Sequence, residues 1–140
     1  MIPGTIFLLD TNTISETKKR NPDPTVLSFF DSAPSSSLFL SVMTLGELRK
    51  GAVGRNRRYP GSVDNFSGWI TNLEQTFVDR IINVDHATAT LWGEFSADRT
   101  RPIVDTLLVA TAIVHGLTLV TRNTIDVQDL PVKLLNPWQP

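Results

Sequence analysis

Short apolar runs alternate with longer segments of helical pattern along the chain, and this alternation most constrains the fold. Two of the runs, residues 5–9 and 117–121, are apolar almost throughout, as expected for strands that helices cover on both faces. Alternating strands and helices favour an α/β sheet over a helix bundle or a β-sandwich. The predicted strands are residues 5–9, 38–42, 80–84, 117–121 and 132–135.

Residue patterns typical of helix ends indicate where the helices between the strands begin and end. Residues 13–16 and 44–47 each begin with Thr and end with Glu, which is the spacing of a capping box. Further helices are predicted for residues 63–76 and for about 86–98. A last long helix, residues 102–115, begins with a proline and is followed by a glycine, as helix ends often are.

Composition limits the class of protein. The chain has 140 residues, 41% of them hydrophobic, so we expect residues 1–140 to form one domain with a packed core. It has no cysteine, which excludes a disulfide scaffold, a thiolate zinc site and a cysteine nucleophile. The net charge of −1 predicts neither nucleic-acid nor membrane binding from global charge. Without a signal-peptide pattern or an apolar run of membrane-spanning length, the expected location is the cytoplasm.

Two acidic residues follow predicted strands. Asp10 comes directly after the first strand, and Asp126 lies just past the fourth. Because ligands bind at the carboxyl edge of open α/β sheets, both side chains are candidates for a site there. Asp10 has an equally good structural explanation as the cap of the next helix. Thr121 and Asn123 would lie beside the two acids as neutral oxygen donors.

Two further acidic residues lie in predicted helices. Asp105 shares its helical face with apolar residues, where a carboxylate is costly unless it is paired, hydrogen-bonded or bound to a metal. Arg101 is its one local candidate partner, and we favour the functional interpretation. Glu47 ends a capping-box pattern and can be explained by that alone. A carboxylate has two oxygens, however, so a cap and a functional role are compatible.

Several carboxylates in one cleft repel one another unless a cation lies between them. Oxygen ligands without Cys or His suit Mg²⁺ or Mn²⁺ rather than zinc. Such an ion can polarise a phosphoryl oxygen and lower the pKa of an attacking water molecule. The acidic residues therefore indicate metal-assisted hydrolysis of a phosphodiester.

Four segments in this order resemble PIN-domain ribonucleases, specifically the VapC/FitB type of toxin from bacterial toxin–antitoxin pairs. The segments are FLLDTN (7–12), SVMTLGELRKG (41–51), IVDTLLVATA (103–112) and LVTRNTID (119–126). The resemblance implies a three-layer α/β/α domain with a central, mainly parallel sheet of four or five strands. It also implies an Mg²⁺-dependent endoribonuclease that forms a homodimer and is neutralised by an antitoxin.

Carried over by position, the acidic residues of the family fall on Asp10, Glu47, Asp105 and Asp126. The resemblance makes Asp10, Asp105 and Asp126 the metal ligands, with Glu47 or Asp126 acting directly or through water. Asn12, Thr121 and Asn123 would support the site. Many relatives have Asp where this chain has Asn123, and that difference is typical of the FitB-type subgroup.

A basic segment offers a candidate RNA-binding surface. Five cations fall within ten residues, and Tyr59 is adjacent; the cations are Arg49, Lys50, Arg55, Arg57 and Arg58. Cations contact phosphates, and an aromatic ring can stack on an unpaired base. We interpret residues 51–61 as a loop, and a solvated surface loop without RNA contacts remains an alternative. Lys18, Lys19 and Arg20 form a second, shorter basic run.

Other functions are open at this point. Residues 10–13 resemble the motif of haloacid-dehalogenase-like phosphatases, but Asn12 replaces the second acid. A receiver-like phospho-acceptor would use Asp85, although such domains pair acids at the first strand. Neither alternative explains Asp105 in an apolar helix. A catalytically idle, antitoxin-binding member of the resembled family is a third alternative.

Overall fold

The computed structural model describes residues 2–61 and 65–139 and contains a sheet of five parallel strands. The strand order is β3-β2-β1-β4-β5, with β1 at the centre. Leu8 of β1 pairs with Phe39 of β2 on one side and with Leu119 of β4 on the other. The strands are β1 Phe7–Leu9, β2 Leu38–Ser41, β3 Ile81–Ile82, β4 Thr118–Val120 and β5 Leu134–Leu135.

Six α-helices connect and cover these strands in the described residues. A short 3₁₀ turn, Ser35–Ser37, precedes β2. The helices are α1 Thr11–Glu16, α2 Pro24–Ser32, α3 Val42–Arg58, α4 Phe66–Thr76, α5 His86–Ser96 and α6 Ile103–His115. None of these helices combines the length and the apolar composition that crossing a bilayer requires.

The central strand faces two separate cores. Phe7 and Leu9 belong to a cluster with residues of α1, α2, α3 and α4. Leu8, which points to the opposite face because side chains alternate along a strand, packs with residues of α6 and with Phe95 of α5. The sheet therefore lies between two helical layers, and the predicted three-layer α/β/α fold is confirmed.

Both predicted capping boxes are wrong. Asp10 caps α1 by accepting a hydrogen bond from the Thr13 amide at 2.8 Å, and Ser41 caps α3 by accepting one from the Met43 amide at 3.0 Å. In each case the strand passes directly into the helix, so the cap is the first polar residue after the apolar run. Thr44 is fully buried inside α3, and its hydroxyl has no hydrogen-bond partner among the described residues.

Three further differences concern helix boundaries. The basic segment predicted as a loop is helical through Arg58, because Leu48 and Ala52 pack into the core and offset the roughly 1 kcal/mol that each helical glycine costs. Helix α2 was not predicted, although Asp23 caps it and Pro24 begins it. Helix α4 begins at residue 66, and residues 63 and 64 of its predicted start lie outside the described residues.

Candidate active site

The site begins with Asp10, at the carboxyl end of the central strand. Its amide donates to the Val120 carbonyl at 3.1 Å, which extends the pairing of β1 with β4 by one residue. The Asp10 side chain is buried, and its Oδ1 accepts the capping bond from Thr13. Oδ2 receives no hydrogen bond from the described residues. The capping explanation of Asp10 is therefore confirmed, and the cap uses only one of the two carboxylate oxygens.

Glu47 lies in the second turn of α3 and reaches toward α1. Its Oε1 accepts a hydrogen bond from the Thr11 hydroxyl, while no described donor reaches Oε2. Glu47 does not close a capping box, because Ser41 already caps the helix. Thr11 was not recognised from the sequence, since only the packing of α1 on α3 brings the two side chains together.

Asp105 lies in the first turn of α6 and is partly buried. Its Oδ2 accepts a hydrogen bond from Asn123 Nδ2 at 3.0 Å. Arg101, the candidate partner from the sequence, instead forms ion pairs with Asp129 at 2.8 Å and with Asp98 at 3.5 Å. No cation among the described residues pairs with Asp105. The functional interpretation of this carboxylate therefore keeps its physical basis.

Burial raises the pKa of Asp105 above its ordinary value. The hydrogen bond from Asn123 opposes this shift, whereas the negative charges of Asp10, Glu47 and Asp126 add to it. Each of these three carboxylates is thus close enough to disfavour the ionised form of Asp105. The four acidic residues predicted from the sequence form one electrostatic cluster.

Asn123 joins two of the acidic residues. Its Nδ2 donates to Asp105 at 3.0 Å and to Asp126 at 2.8 Å. The sequence predicted a neutral oxygen donor, but two neighbouring carboxylates accept only, so the amide presents its NH₂ group to them. Thr121 is buried, and its hydroxyl accepts a hydrogen bond from the backbone N–H of Asn123 at 3.0 Å. Thr121 therefore shapes the turn that holds Asn123.

A polar cavity of about 250 Å³ lies among these groups, lined by Asp10, Thr11, Asn12, Glu47 and Asp105. Asp126 is exposed and reaches the cluster through Asn123. In the described part of the chain, no three His, Asp or Glu side chains are grouped so as to hold one metal ion. The oxygen-only donor set still suits Mg²⁺, which is usually bound by one or two carboxylates and several waters.

Arg101 connects two of the segments that form the site. It is buried, and its guanidinium donates to both Asp129 oxygens, at 2.8 and 3.2 Å, and to the Phe95 carbonyl at 2.8 Å. The hydrogen bond from Arg101 lowers the pKa of Asp129. This contact fastens the segment that carries Asp126 to the start of the helix that carries Asp105. Arg101, a candidate partner of Asp105 from its local spacing, therefore pairs with Asp129 instead.

The five predicted RNA-binding cations have different environments. Arg49 turns toward α4, where it donates to Thr71 at 3.1 Å and pairs with Glu74. Arg55 lies over the ring of Phe66, with 5.6 Å between the guanidinium carbon and the ring centroid. Lys50, Arg57 and Arg58 are exposed on α3. Tyr59 ends that helix and is 67% exposed.

Asp85, the acid that a phospho-acceptor would require, lies outside this cluster. It caps α5 by accepting from the Thr88 amide at 2.8 Å. Its other oxygen lies 3.1 Å from Nε2 of His115. These contacts lower the pKa of Asp85, the hydrogen bonds with Thr88 most of all. Asp85 is fully explained as a structural residue.

Similarity to known proteins extends over almost the whole chain. The family model for the PIN domain matches residues 7–130. VapC ribonuclease Y4jK of Sinorhizobium fredii is 30% identical, with 96% of this chain and 99% of that protein aligned. Toxin FitB of Neisseria gonorrhoeae is also 30% identical, over 95% of this chain and 99% of FitB.

Solved structures give the same result. FitAcB from Neisseria gonorrhoeae superposes with a TM-score of 0.81 and 28% identity, covering 96% of this chain and all of that one. FitAB bound to an IR36 DNA fragment gives a TM-score of 0.81 and 26% identity, covering 96% and 97%. The phosphatase and receiver alternatives are therefore wrong. The chain belongs to the PIN domain family, in its VapC/FitB branch.

Proposed function

We propose that the protein is an Mg²⁺-dependent endoribonuclease, with Mn²⁺ able to substitute, that hydrolyses RNA phosphodiester bonds as the toxin of a toxin–antitoxin pair. One observation carries the proposal. Three acidic side chains from three different elements, Asp10, Glu47 and Asp105, line one polar cavity at the carboxyl edge of the sheet. Carboxylates gathered in one cavity repel one another unless a cation lies between them. Such a cluster is typical of a metal-dependent site.

The hydrogen bonds of these residues support a division of roles. In each of the three, one oxygen accepts from a described neighbour, Thr13, Thr11 or Asn123, and the second does not. The second oxygens of Asp10 and Asp105 would hold the ion, with Glu47 acting directly or through water. A bound Mg²⁺ would stabilise charge on a phosphoryl oxygen and lower the pKa of a water molecule.

Further contacts hold the carboxylates in position, and further groups add charge or polar contacts to the site. Asp10 is fixed by its helix cap and Glu47 by Thr11, so neither carboxylate has to be ordered when substrate arrives. Asp126 adds negative charge at the rim, and Asn123 keeps it close to Asp105. Asn12 lies on the cavity wall, where its amide can contact substrate.

Relatives support the biological role. The similar proteins include one named VapC ribonuclease and one named toxin FitB, and a similar structure is the FitAB complex on DNA. By analogy, we propose that this chain forms a homodimer, is neutralised by a cognate antitoxin protein and meets its RNA substrate in the cytoplasm. No membrane partner is part of the proposal.

The decisive experiment is cleavage of total cellular RNA with Mg²⁺ and with EDTA. Wild type is expected to cleave only with the metal, and Asp10→Asn to be about a hundredfold slower or worse, since removing one charge-stabilising group costs about 2.7–4 kcal/mol of barrier. Asn is also a good helix cap, so Asp10→Asn keeps the fold. Asp31→Asn, an exposed acid on α2, is the matched control.

Three results would contradict the proposal. Cleavage that persists in EDTA would exclude a metal mechanism, and near-wild-type cleavage by Asp10→Asn would remove that residue from the site. A wild-type protein that does not cleave RNA with Mg²⁺ or Mn²⁺ would favour the idle, antitoxin-binding alternative.

A further inference from the structure

A second cavity, of about 410 Å³, lies beside the turn that follows α1. We call it the basic cleft; it is lined by Ser15, Lys18, Lys19, Arg20, Arg55 and Phe66. Its cations come from two parts of the sequence, residues 18–20 and Arg55, and Arg20 and Arg55 are 35 positions apart. On a chain with a net charge of −1, folding thus concentrates positive charge at one place.

Glu16 holds the turn that carries the first basic run. It is buried, and its Oε1 pairs with Lys19 at 2.8 Å while its Oε2 accepts from the Asp23 amide at 2.9 Å. The hydrogen bond with Lys19 lowers the pKa of Glu16. Lys19 is therefore largely neutralised, whereas the exposed side chains of Lys18 and Arg20 form no ion pair within residues 2–61 and 65–139. Lys18 and Arg20 therefore add positive charge to the cleft that Glu16 does not balance.

Arg55 and Phe66 also line the cleft. The Arg55 guanidinium lies 5.6 Å from the centroid of the Phe66 ring, and that ring packs against Trp69 at 5.2 Å. Unpaired bases stack on aromatic rings and on guanidinium planes. Cations and two groups of the kind that stack on bases therefore line the same cavity.

The basic cleft lies on the same two helices as the acidic cavity. Thr11 lines the acidic cavity and Ser15 the cleft, one turn apart on one face of α1. Glu47 and Arg55 are eight residues apart on α3, a distance of about 12 Å along its axis. The hydrogen bond between Thr11 and Glu47 joins the two helices at the acidic cavity.

We propose that the basic cleft binds single-stranded RNA a short distance along the strand from the bond to be cleaved. Lys18 and Arg20 contact phosphates, and one base stacks against Arg55 and Phe66. This assignment rests on the proposed ribonuclease function and adds the substrate's binding path to it. The stacking surface favours RNA over an acidic polypeptide, which would need the cations alone.

The test measures binding of a fluorescent single-stranded RNA to the full chain in EDTA, where cleavage does not interfere, over a series of salt concentrations. Lys18→Gln and Arg20→Gln should each flatten the log–log salt dependence by about 0.7, the value per phosphate contact on a single strand. Lys133→Gln removes the same charge from an exposed position at the sheet's other side and should leave the slope unchanged. Unchanged slopes in both cleft variants would overturn the proposal.

Phe66→Leu tests stacking separately from charge. It should weaken binding of ordinary RNA about fivefold or more and have no effect on an abasic strand of equal length. Thermal melting confirms that this variant is folded, and the abasic strand serves as the control for charge. Equal losses on both strands would show that Phe66 does not stack on a base and would contradict the RNA assignment. Competition by polyglutamate as strong as by RNA would also contradict it and would assign the cleft to an acidic polypeptide.

Cleavage in Mg²⁺ separates failure of this proposal from failure of the proposed function. Lys18→Gln/Arg20→Gln should raise KM for long single-stranded RNA while leaving kcat within about twofold. A dinucleotide is too short to reach the cleft, so its cleavage should not change. Wild-type cleavage with unaltered KM in the double variant refutes the cleft alone, whereas absence of wild-type cleavage refutes the nuclease proposal.

Discussion

Replacing Asp105 by Asn should stabilise the metal-free protein. Burial and the charges of Asp10, Glu47 and Asp126 raise the pKa of Asp105, so the ionised carboxylate lowers the free energy of unfolding at neutral pH. The near-isosteric amide removes that charge and can still accept the hydrogen bond that Asn123 donates at 3.0 Å. The substitution therefore relieves repulsion without leaving a donor unpaired.

The expected gain is about 1 kcal/mol, the size of a typical single-site effect for one like-charge contact relieved at a partly exposed position. For a domain of this length that corresponds to roughly 2–5 °C in Tm. The pH dependence has a defined sign. Because the native pKa is raised, the penalty is complete above that pKa and disappears as pH falls below the ordinary Asp value. The difference between variant and wild type should therefore be largest at pH 7 and vanish near pH 3.

Thermal melts in EDTA and in Mg²⁺ measure both effects. Mg²⁺ at a hundred times its Kd would stabilise wild type by about 2.7 kcal/mol and the variant much less. Two controls carry the same chemical change: Asp31→Asn is exposed and should be neutral, whereas Asp129→Asn loses its pairing with Arg101 and should lower Tm. Destabilisation by Asp105→Asn in EDTA, together with no response to Mg²⁺, would refute the reasoning and make Asp105 a structural residue.

Two further predictions concern charge and assembly. Asn123→Asp replaces a group that donates to Asp105 and Asp126 by a further carboxylate, so it should lower Tm in EDTA and increase the stabilisation by Mg²⁺; an unchanged Tm in EDTA would contradict the electrostatic argument. The homodimer proposed by analogy should sediment as a dimer at micromolar protein in analytical ultracentrifugation, and a monomer at that concentration would contradict it.

The sheet was predictable because each strand is a local apolar run. Residues 5–9 and 117–121 were correctly identified, although the strands themselves span three residues each, Phe7–Leu9 and Thr118–Val120. Helix termini were less predictable. A capping pattern such as residues 44–47 competes with a nearby Ser41 that follows the strand directly, and only the position of the strand end decides between them.

Contacts between residues far apart in the chain were the hardest feature to predict from the sequence. The acidic cluster could be anticipated because parallel strands bring their carboxyl ends to one edge, and Asp105 was conspicuous on an apolar face. Arg101 was misassigned because its local spacing to Asp105 is helical, whereas its actual partner, Asp129, is 28 residues away. Likewise, no local pattern connects Thr11 with Glu47, which are 36 residues apart.

Asn123 shows how one uncharged residue changes the energetics of the whole site. A side-chain amide can accept or donate, and the sequence does not say which; the two carboxylates beside it do, because they can only accept. At 3.0 Å from Asp105 and 2.8 Å from Asp126, its NH₂ group lies between two like charges and lowers the pKa of Asp105 against the effect of burial. The cluster therefore carries less repulsion than it would with Asp at position 123, where a fifth carboxylate would join Asp10, Glu47, Asp105 and Asp126.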